Sequence, residues 1–407
     1  MNNTNSLKIR WFYLAAGVFA MLFSGVLYAW SILKTPFSEN FGWSNSLLAL
    51  NFTLTMCFFC LGAFAGSLIA KKIGHKATLI IAGVLVGAGF TATGLLRADI
   101  PHMLFLSYAV LAGSGIGISY NVVISTVNSW FPDKKGLCSG CLMMGFGVST
   151  LLMGEVINKL FRAPSFGAGK TFILLGAVIA IVIIISGIII KKPSPYTVFP
   201  EVKEAKTAIK EDFEIRDYAP TEMLKSISFW KAFICIVFIA ALGNSVISFA
   251  KDFALSVNAS ASLATTLVGV LSVFNGIGRI LTGALYDALG RKTTMVAANA
   301  LTIVAALMCL ASVYASSLPL CIIAICLTGL SYGSCPTITS AFTASFYGRK
   351  HFATNYSINN FNLIFASFIA NASNLLLVNT GCYFAPFLML LILSVLSLIL
   401  NLTIKKP

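Results

Sequence analysis

Twelve times along this chain an apolar run reaches the length that a bilayer-crossing helix needs. The runs lie at roughly 11–33, 47–70, 78–96, 103–128, 137–157, 172–190, 229–250, 265–286, 294–314, 318–341, 353–377 and 384–404. Each is close to the ~17–25 residues that span hydrocarbon as an α-helix. Inside a bilayer every backbone N–H and C=O must find a partner within the protein, so only helices and closed barrels cross it. Continuous apolar runs, without strict alternation, read as helices. Composition agrees: of 407 residues 58% are hydrophobic and 10% charged, with a mean hydropathy of +0.90. No soluble globular domain reads like this. The first run, Trp11 to Leu33, is too long for a signal peptide and lacks a small-residue cleavage site, so it reads as an uncleaved first helix.

The formal charge of +15 invites a nucleic-acid reading, but the basic residues form no single patch. They recur in short loops between runs, which is a topology signal. With the N-terminus inside, 20 of the 28 Lys and Arg residues fall on the inner side. Six (Lys34, Arg97, Lys159, Arg162, Lys170 and Lys251) fall outside, and Lys231 and Arg279 belong to neither set. Both termini are therefore expected in the cytoplasm. One long polar segment, 191–228, carries Pro193, Pro195, Pro200 and Pro220 among mixed charges. It reads as a cytoplasmic linker between six-helix halves at 1–190 and 229–407.

Within the eighth run stands Ser272-Val273-Phe274-Asn275-Gly276-Ile277-Gly278-Arg279-Ile280, and Arg279 is the only charge between Leu263 and Leu285. A guanidinium at mid-bilayer costs roughly 2.5–3.5 kcal/mol on insertion scales. The run continues on both sides of Arg279, which argues against an arginine snorkelling to the headgroups. Asn275 lies one helical turn earlier on the same face. The pair is expected to hold a small carboxylate in a water-filled cavity between helices.

The two halves also share a loop. After the second run the chain reads Gly66-Ser67-Leu68-Ile69-Ala70-Lys71-Lys72-Ile73-Gly74-His75-Lys76. After the eighth it reads Gly283-Ala284-Leu285-Tyr286-Asp287-Ala288-Leu289-Gly290-Arg291-Lys292. Asp287, Gly290, Arg291 and Lys292 resemble the cytoplasmic loop motif of the major facilitator superfamily, G-x-x-x-D-x-x-G-R-K. Lys71 departs from it where the motif has Asp. Arg10-Trp11-Phe12-Tyr13, Ser24-Gly25-Val26-Leu27-Tyr28-Ala29-Trp30, Trp130-Phe131-Pro132-Asp133-Lys134-Lys135-Gly136-Leu137-Cys138-Ser139-Gly140 and Phe274-Asn275-Gly276-Ile277-Gly278-Arg279 together resemble the oxalate/formate antiporter branch. That branch is akin to the monocarboxylate transporters.

The resemblance implies a major facilitator fold and gives Arg279 the role of binding the substrate carboxylate. It places Tyr28, Tyr120 and Tyr332 on the cavity lining. Tyr13 and Tyr383, near run ends, fit an interfacial aromatic belt better. The oxalate antiporters carry a second cation, a Lys, in the eleventh helix, and the aligned position here is Leu363. One cation matches one carboxylate, so the departure points to monocarboxylates such as lactate or pyruvate. Asn359, Asn360 and Asn362 cluster early in the eleventh run, where amides facing lipid would be costly. Asn359 and Asn362 share a face and are candidates to replace the missing Lys contacts. Gly113, Gly115, Gly117, Gly140, Gly145 and Gly147 permit close helix approach. Glu155, near a run end and beside Lys159, reads as interfacial, and the three His residues sit in loops, so no acidic or histidine relay crosses the membrane.

The expected protein is all-α, with 12 transmembrane helices in two pseudo-symmetric six-helix bundles. It is expected to be a monomeric carrier in the inner cell membrane, working by alternating access. Its partners are a small carboxylate anion, a proton and the lipid bilayer, with no nucleic acid. A carboxylate exchanger is the alternative. No cofactor or metal is expected, because Cys57/Cys60 and Cys138/Cys141 lie at different depths, too far apart for one tetrahedral site. No enzyme is expected: no nucleophile–base pair or phosphate-binding loop occurs.

Overall fold

The computed structural model describes residues 3–194, 197, 199 and 216–405. Pro195, Pro200 and half of the expected linker lie outside the described residues. Of that linker, the helix α8 (Pro220–Lys225) is described. Everything described is helix or connection. The chain forms two compact units, Met1–Asp133 with Gly145–Val202, and Lys134–Met144 with Lys203–Pro407.

The first unit contains α1 (Asn3–Ser24), which runs through a 3-10 turn at Gly25–Ala29 into α2 (Trp30–Leu33), then α3 (Thr35–Phe41). It continues with α4 (Asn45–Gly94), a π-helical stretch at Phe105–Gly113, α5 (Ser114–Asn128), most of α6 (Lys135–Arg162) and α7 (Gly167–Ile189). The second holds the start of α6, then α8, α9 (Ile227–Ser256), α10 (Ala261–Tyr314) and α11 (Leu318–Tyr347). It ends with α12 (Phe352–Asn359), α13 (Asn362–Thr380) and α14 (Phe384–Leu402). Among the described residues ten helical stretches are long and apolar enough to cross a membrane. Two of them, α4 and α10, each contain two crossings joined at a non-helical glycine, which makes twelve.

That pair shows the internal repeat directly. Ser44 Oγ accepts the Leu47 N–H at 3.3 Å to cap α4, and Ser260 Oγ accepts the Leu263 N–H at 3.3 Å to cap α10. Both are N-caps of the ordinary kind. Thirty residues past each cap (44 to 74, 260 to 290) the helix breaks at a glycine with positive φ, Gly74 at 84° and Gly290 at 73°. A side chain is strained there, and glycine is not. Four residues further a threonine hydroxyl returns to the glycine carbonyl, Thr78 at 2.7 Å and Thr294 at 2.8 Å.

The same 216-residue offset carries over to the packing. In lipid no hydrophobic drive pulls helices together, so small residues and close backbone approach do. In the first unit Gly113 faces the Thr55 carbonyl, Gly117 the Phe59 carbonyl and Gly62 the Ser114 carbonyl. In the second, Gly329 faces Leu271, Gly333 faces Asn275 and Gly278 faces Leu330. A Cβ at any of these six would crowd a backbone oxygen.

Three expectations change. The residues 134–144 pack with the second unit, not with the half 1–190 to which sequence order assigned them. Asp287, Arg279 and paired glycines hold them there. The first crossing is not one regular helix, since Tyr28 lies on its 3-10 turn. The eleventh breaks between Asn359 and Asn362, where the Leu363 N–H bonds to the Asn360 carbonyl at 3.1 Å.

Candidate anion-binding site

Arg279 heads the fully buried side chains by size, with 1% of its surface exposed. Its guanidinium Nε donates to Asn275 Oδ1 at 3.0 Å, one turn back on the same face of α10. Its Nη1 donates to the backbone carbonyl of Met143, in the opening turns of α6, at 2.6 Å. The Thr337 hydroxyl of α11 donates to the Arg279 carbonyl at 3.2 Å. Local sequence makes room for this. Gly278 and Gly333 let α10 and α11 meet backbone to backbone, and at Gly140 a Cβ would stand 2.7 Å from the Arg279 carbonyl. Among the described residues no carboxylate lies within ion-pair distance of Arg279. Its acceptors are neutral. A buried guanidinium with neutral acceptors keeps its charge uncompensated, and its planar fork suits a carboxylate.

Tyr332, also buried on α11, lies against Gly243 of α9, where an added Cβ would overlap its ring. The next residue, Asn244, is buried and donates to Ser367 Oγ at 3.5 Å. Ser367 in turn donates to the Leu363 carbonyl at 2.8 Å. The α9 face at 243–244 thus meets Tyr332 and Ser367, and Leu363, one turn before Ser367 on α13, is buried. Asn244 and Ser367 are absent from the sequence expectations. An amide in the middle of an apolar run, such as Asn244, is a signal that finds the first of them.

Asn359 donates to Thr343 Oγ1 at 3.0 Å, and its Oδ1 is buried without a partner. Thr343 lies six residues past Thr337 on one helix, roughly 9 Å of rise. The structure ties Asn359 to a different level of α11 from the one that meets Arg279. Asn362 donates to the Asn359 carbonyl, across the helix break, and to Thr339 Oγ1 at 3.4 Å.

In the first unit, Tyr28 and Tyr120 share one partner. Each meets the Phe146 ring edge-on, with centroids 5.1 and 5.2 Å apart, and Phe59 meets Tyr120 at 5.1 Å. Tyr120 is buried and Tyr28 half-buried. Tyr13 is no belt residue: it is buried and packs on Trp130 at 5.1 Å. Beside it, Arg10 forms an ion pair with Asp133 at 2.8 Å and stacks 4.9 Å from the Phe131 ring centroid. Those residues carried the family resemblance, and here they join the start of α1 to the end of the α5 crossing. Glu155 pairs with Lys159 at 2.8 Å on an exposed surface, as an interfacial acid does.

Of the loop residues, Asp287 accepts the Gly136 and Leu137 N–H groups at 3.1 and 2.9 Å, capping the start of α6. Arg291 reaches the Ile404 carbonyl at 3.3 Å and lies 5.4 Å from the Phe346 ring centroid. Lys292 is exposed. A second carboxylate cap comes from the end of the linker. Asp217 accepts the Arg349 and Lys350 N–H groups at 2.6 and 3.0 Å. These two bonds, led by Lys350, hold its carboxyl below the usual carboxylate range.

The sequence matches the model of the Major Facilitator Superfamily over residues 12–250 and 233–407. It is 31% identical over 294 residues to the oxalate:formate antiporter of Oxalobacter formigenes, covering 72% of this chain and 67% of that protein. It is 26% identical to mouse monocarboxylate transporter 12, over 63% of this chain and 56% of that one. In three dimensions it resembles the proton:xylose symporter XylE with a TM-score of 0.75 at 12% identity, covering 100% of this chain and 97% of that one. At that identity the likeness concerns the fold alone.

Proposed function

The chain belongs to the Major Facilitator Superfamily, and we propose that within it this protein is a secondary active carrier of small monocarboxylates, working by alternating access. The observation that carries this reading is Arg279, a buried cation whose described partners are all neutral acceptors. An arriving carboxylate supplies the missing charge and two acceptor oxygens to the guanidinium fork. With Arg279 the one such cation among the described residues and Leu363 buried in the eleventh crossing, the site matches one carboxylate, not two. Asn275 orients the guanidinium, and Tyr28, Tyr120 and Tyr332 line the path. The relatives named above, an oxalate:formate antiporter and a monocarboxylate transporter, support carboxylates as the substrate class. The protein acts as a monomer in the inner cell membrane, with both termini in the cytoplasm and the halves 1–190 and 229–407 as its moving parts.

Coupling has two forms. In proton symport, the proton travels on the substrate carboxyl or a group beside it. In exchange, the carrier reorients only when loaded. One observation favours exchange. Among the described residues no Asp, Glu or His is fully buried, so no buried carboxylate or imidazole is there to offset Arg279 when the anion leaves. Purified protein in liposomes separates the two. Labelled lactate accumulating in an empty lumen under an inward proton gradient supports symport. Uptake that needs a lumen preloaded with formate, lactate or oxalate supports exchange. No carboxylate flux in either arm contradicts the carrier reading.

A further inference from the structure

We propose that Arg279 is also a latch: without substrate it clamps the opening segment of α6 through the Met143 carbonyl, and a bound carboxylate releases that segment by taking over the guanidinium. The proposal rests on the carboxylate reading above.

Residues 136–144 are seated on α10 and α11 by four contacts in sequence. The Asp287 carboxylate caps Gly136 and Leu137. Gly136 and Gly283 meet backbone to backbone. The Ser139 and Ser340 hydroxyls lie 3.0 Å apart. The Arg279 Nη1 holds the Met143 carbonyl at 2.6 Å, while the Thr337 hydroxyl approaches the Met143 sulfur at 3.9 Å. Three of these are caps, small-residue contacts or neutral hydrogen bonds, which nothing about substrate changes. The Arg279 bond is different, because its donor is the group proposed to bind the anion.

A backbone carbonyl is a neutral acceptor and a carboxylate a charged one. The guanidinium bond to Met143 is charge-assisted from the donor side alone, whereas a carboxylate adds a full opposite charge and a second acceptor oxygen for the planar fork. A carboxylate within reach of the guanidinium therefore outcompetes the carbonyl for Nη1. The held segment ends where Gly145, next after Met144, packs against the Val18 carbonyl of α1.

The latch exists once. The repeat counterpart of Arg279, 216 residues earlier, is Ala63. It also gives exchange a physical cause: an unloaded carrier stays locked because its own arginine holds the segment down. A ligand moves a conformational equilibrium only through differential affinity for the two states. Here that difference is one guanidinium bond, spent on Met143 in the locked state and on the anion in the released one.

The test is amide hydrogen exchange of the full chain in lipid nanodiscs, read on peptides covering 136–144. Formate, acetate, lactate, pyruvate and oxalate are the probes, with lactamide as the uncharged control. Binding is measured in parallel by titration calorimetry. A carboxylate that binds is expected to speed exchange in this segment about tenfold or more, the size of one lost charge-assisted hydrogen bond, while lactamide leaves it unchanged. Gly140→Ala, whose methyl presses on the Arg279 carbonyl, is expected to raise anion-free exchange toward the loaded level. Binding with unchanged or slower exchange overturns the latch and leaves the carboxylate reading standing. No binding by any of the five overturns both. Gly140→Ala protein that stays folded with wild-type exchange also overturns the latch.

Discussion

The hairpins α4 and α10 share one frame and differ in the charged and polar residues set on it. Serine caps, the thirty-residue interval to a positive-φ glycine and the threonine return bond all coincide. The glycine contacts on α5 and α11 coincide as well. At the offset of 216, however, Asn275 and Arg279 fall on Phe59 and Ala63, and Asp287 falls on Lys71. Phe59 packs on Tyr120, whereas Asn275 orients a guanidinium. The frame is thus repeated and the charge is not. The first unit's own buried arginine, Arg10, makes the same point from the other side. Its charge is met by Asp133 at 2.8 Å, so it has no call on an external anion.

The sharpest way to break this contrast is to exchange the two arginines' fates. Arg279→Ala should lower carboxylate transport by about a hundredfold or more, as expected for removing the charged partner of a buried anion, while the protein still elutes as a folded species. Arg10→Ala should do the reverse. Leaving Asp133 without its partner is expected to cost roughly 3–5 kcal/mol of stability, read as a lower unfolding temperature, with transport per folded molecule retained. Equal losses of transport per folded molecule in the two variants would dissolve the distinction.

The repeat itself is tested by paired substitutions. Gly117→Ala and Gly333→Ala put a methyl against equivalent backbone oxygens, at Phe59 and Asn275. Each should destabilise by about 1–3 kcal/mol, as overpacking does. Only Gly333→Ala should also disturb anion affinity, because Asn275 and Arg279 are the residues it presses on. Unequal stability losses would show that the two contacts are not equivalent.

A smaller effect is expected at Leu363→Lys, which introduces the cation that the oxalate branch carries. Competition assays should shift preference from lactate toward oxalate by about tenfold, the equivalent of ~1.4 kcal/mol. Unchanged selectivity would remove Leu363 from the account of substrate charge.

The smallest effect belongs to Asp217→Asn, which weakens the cap on Arg349 and Lys350. Because folding lowers this carboxyl's pKa, its contribution is present above the ordinary carboxylate range and is lost as pH falls through the folded value. Wild type should lose stability relative to the variant only in acid. A difference that grows toward neutral pH from the alkaline side would contradict the cap.

Much of this was legible in the sequence. Run length and the density of Lys and Arg in loops follow from bilayer thickness and charge cost, so the twelve crossings and the isolation of Arg279 could be read directly. Gly74 and Gly290 were visible as a motif, and their positive φ explains why glycine stands there. What stayed hidden depends on contacts between distant segments. Nothing in the spelling of Met143 says that its carbonyl meets Arg279. Asp133 read as part of a family motif, without its partner 123 residues away. The break at 360–361 has no proline or glycine to announce it. The donation of the Asn359 amide to Thr343 on a neighbouring helix was equally unreadable from sequence.

The central claim is that Arg279 binds the transported carboxylate, and counterflow tests it most directly. Wild type and Arg279→Ala are reconstituted in liposomes loaded with unlabelled formate, lactate or oxalate, and entry of the labelled acid is followed. The account predicts rapid entry with wild type for at least one monocarboxylate, and entry at the protein-free rate with Arg279→Ala. Wild-type entry through a folded Arg279→Ala carrier would contradict it.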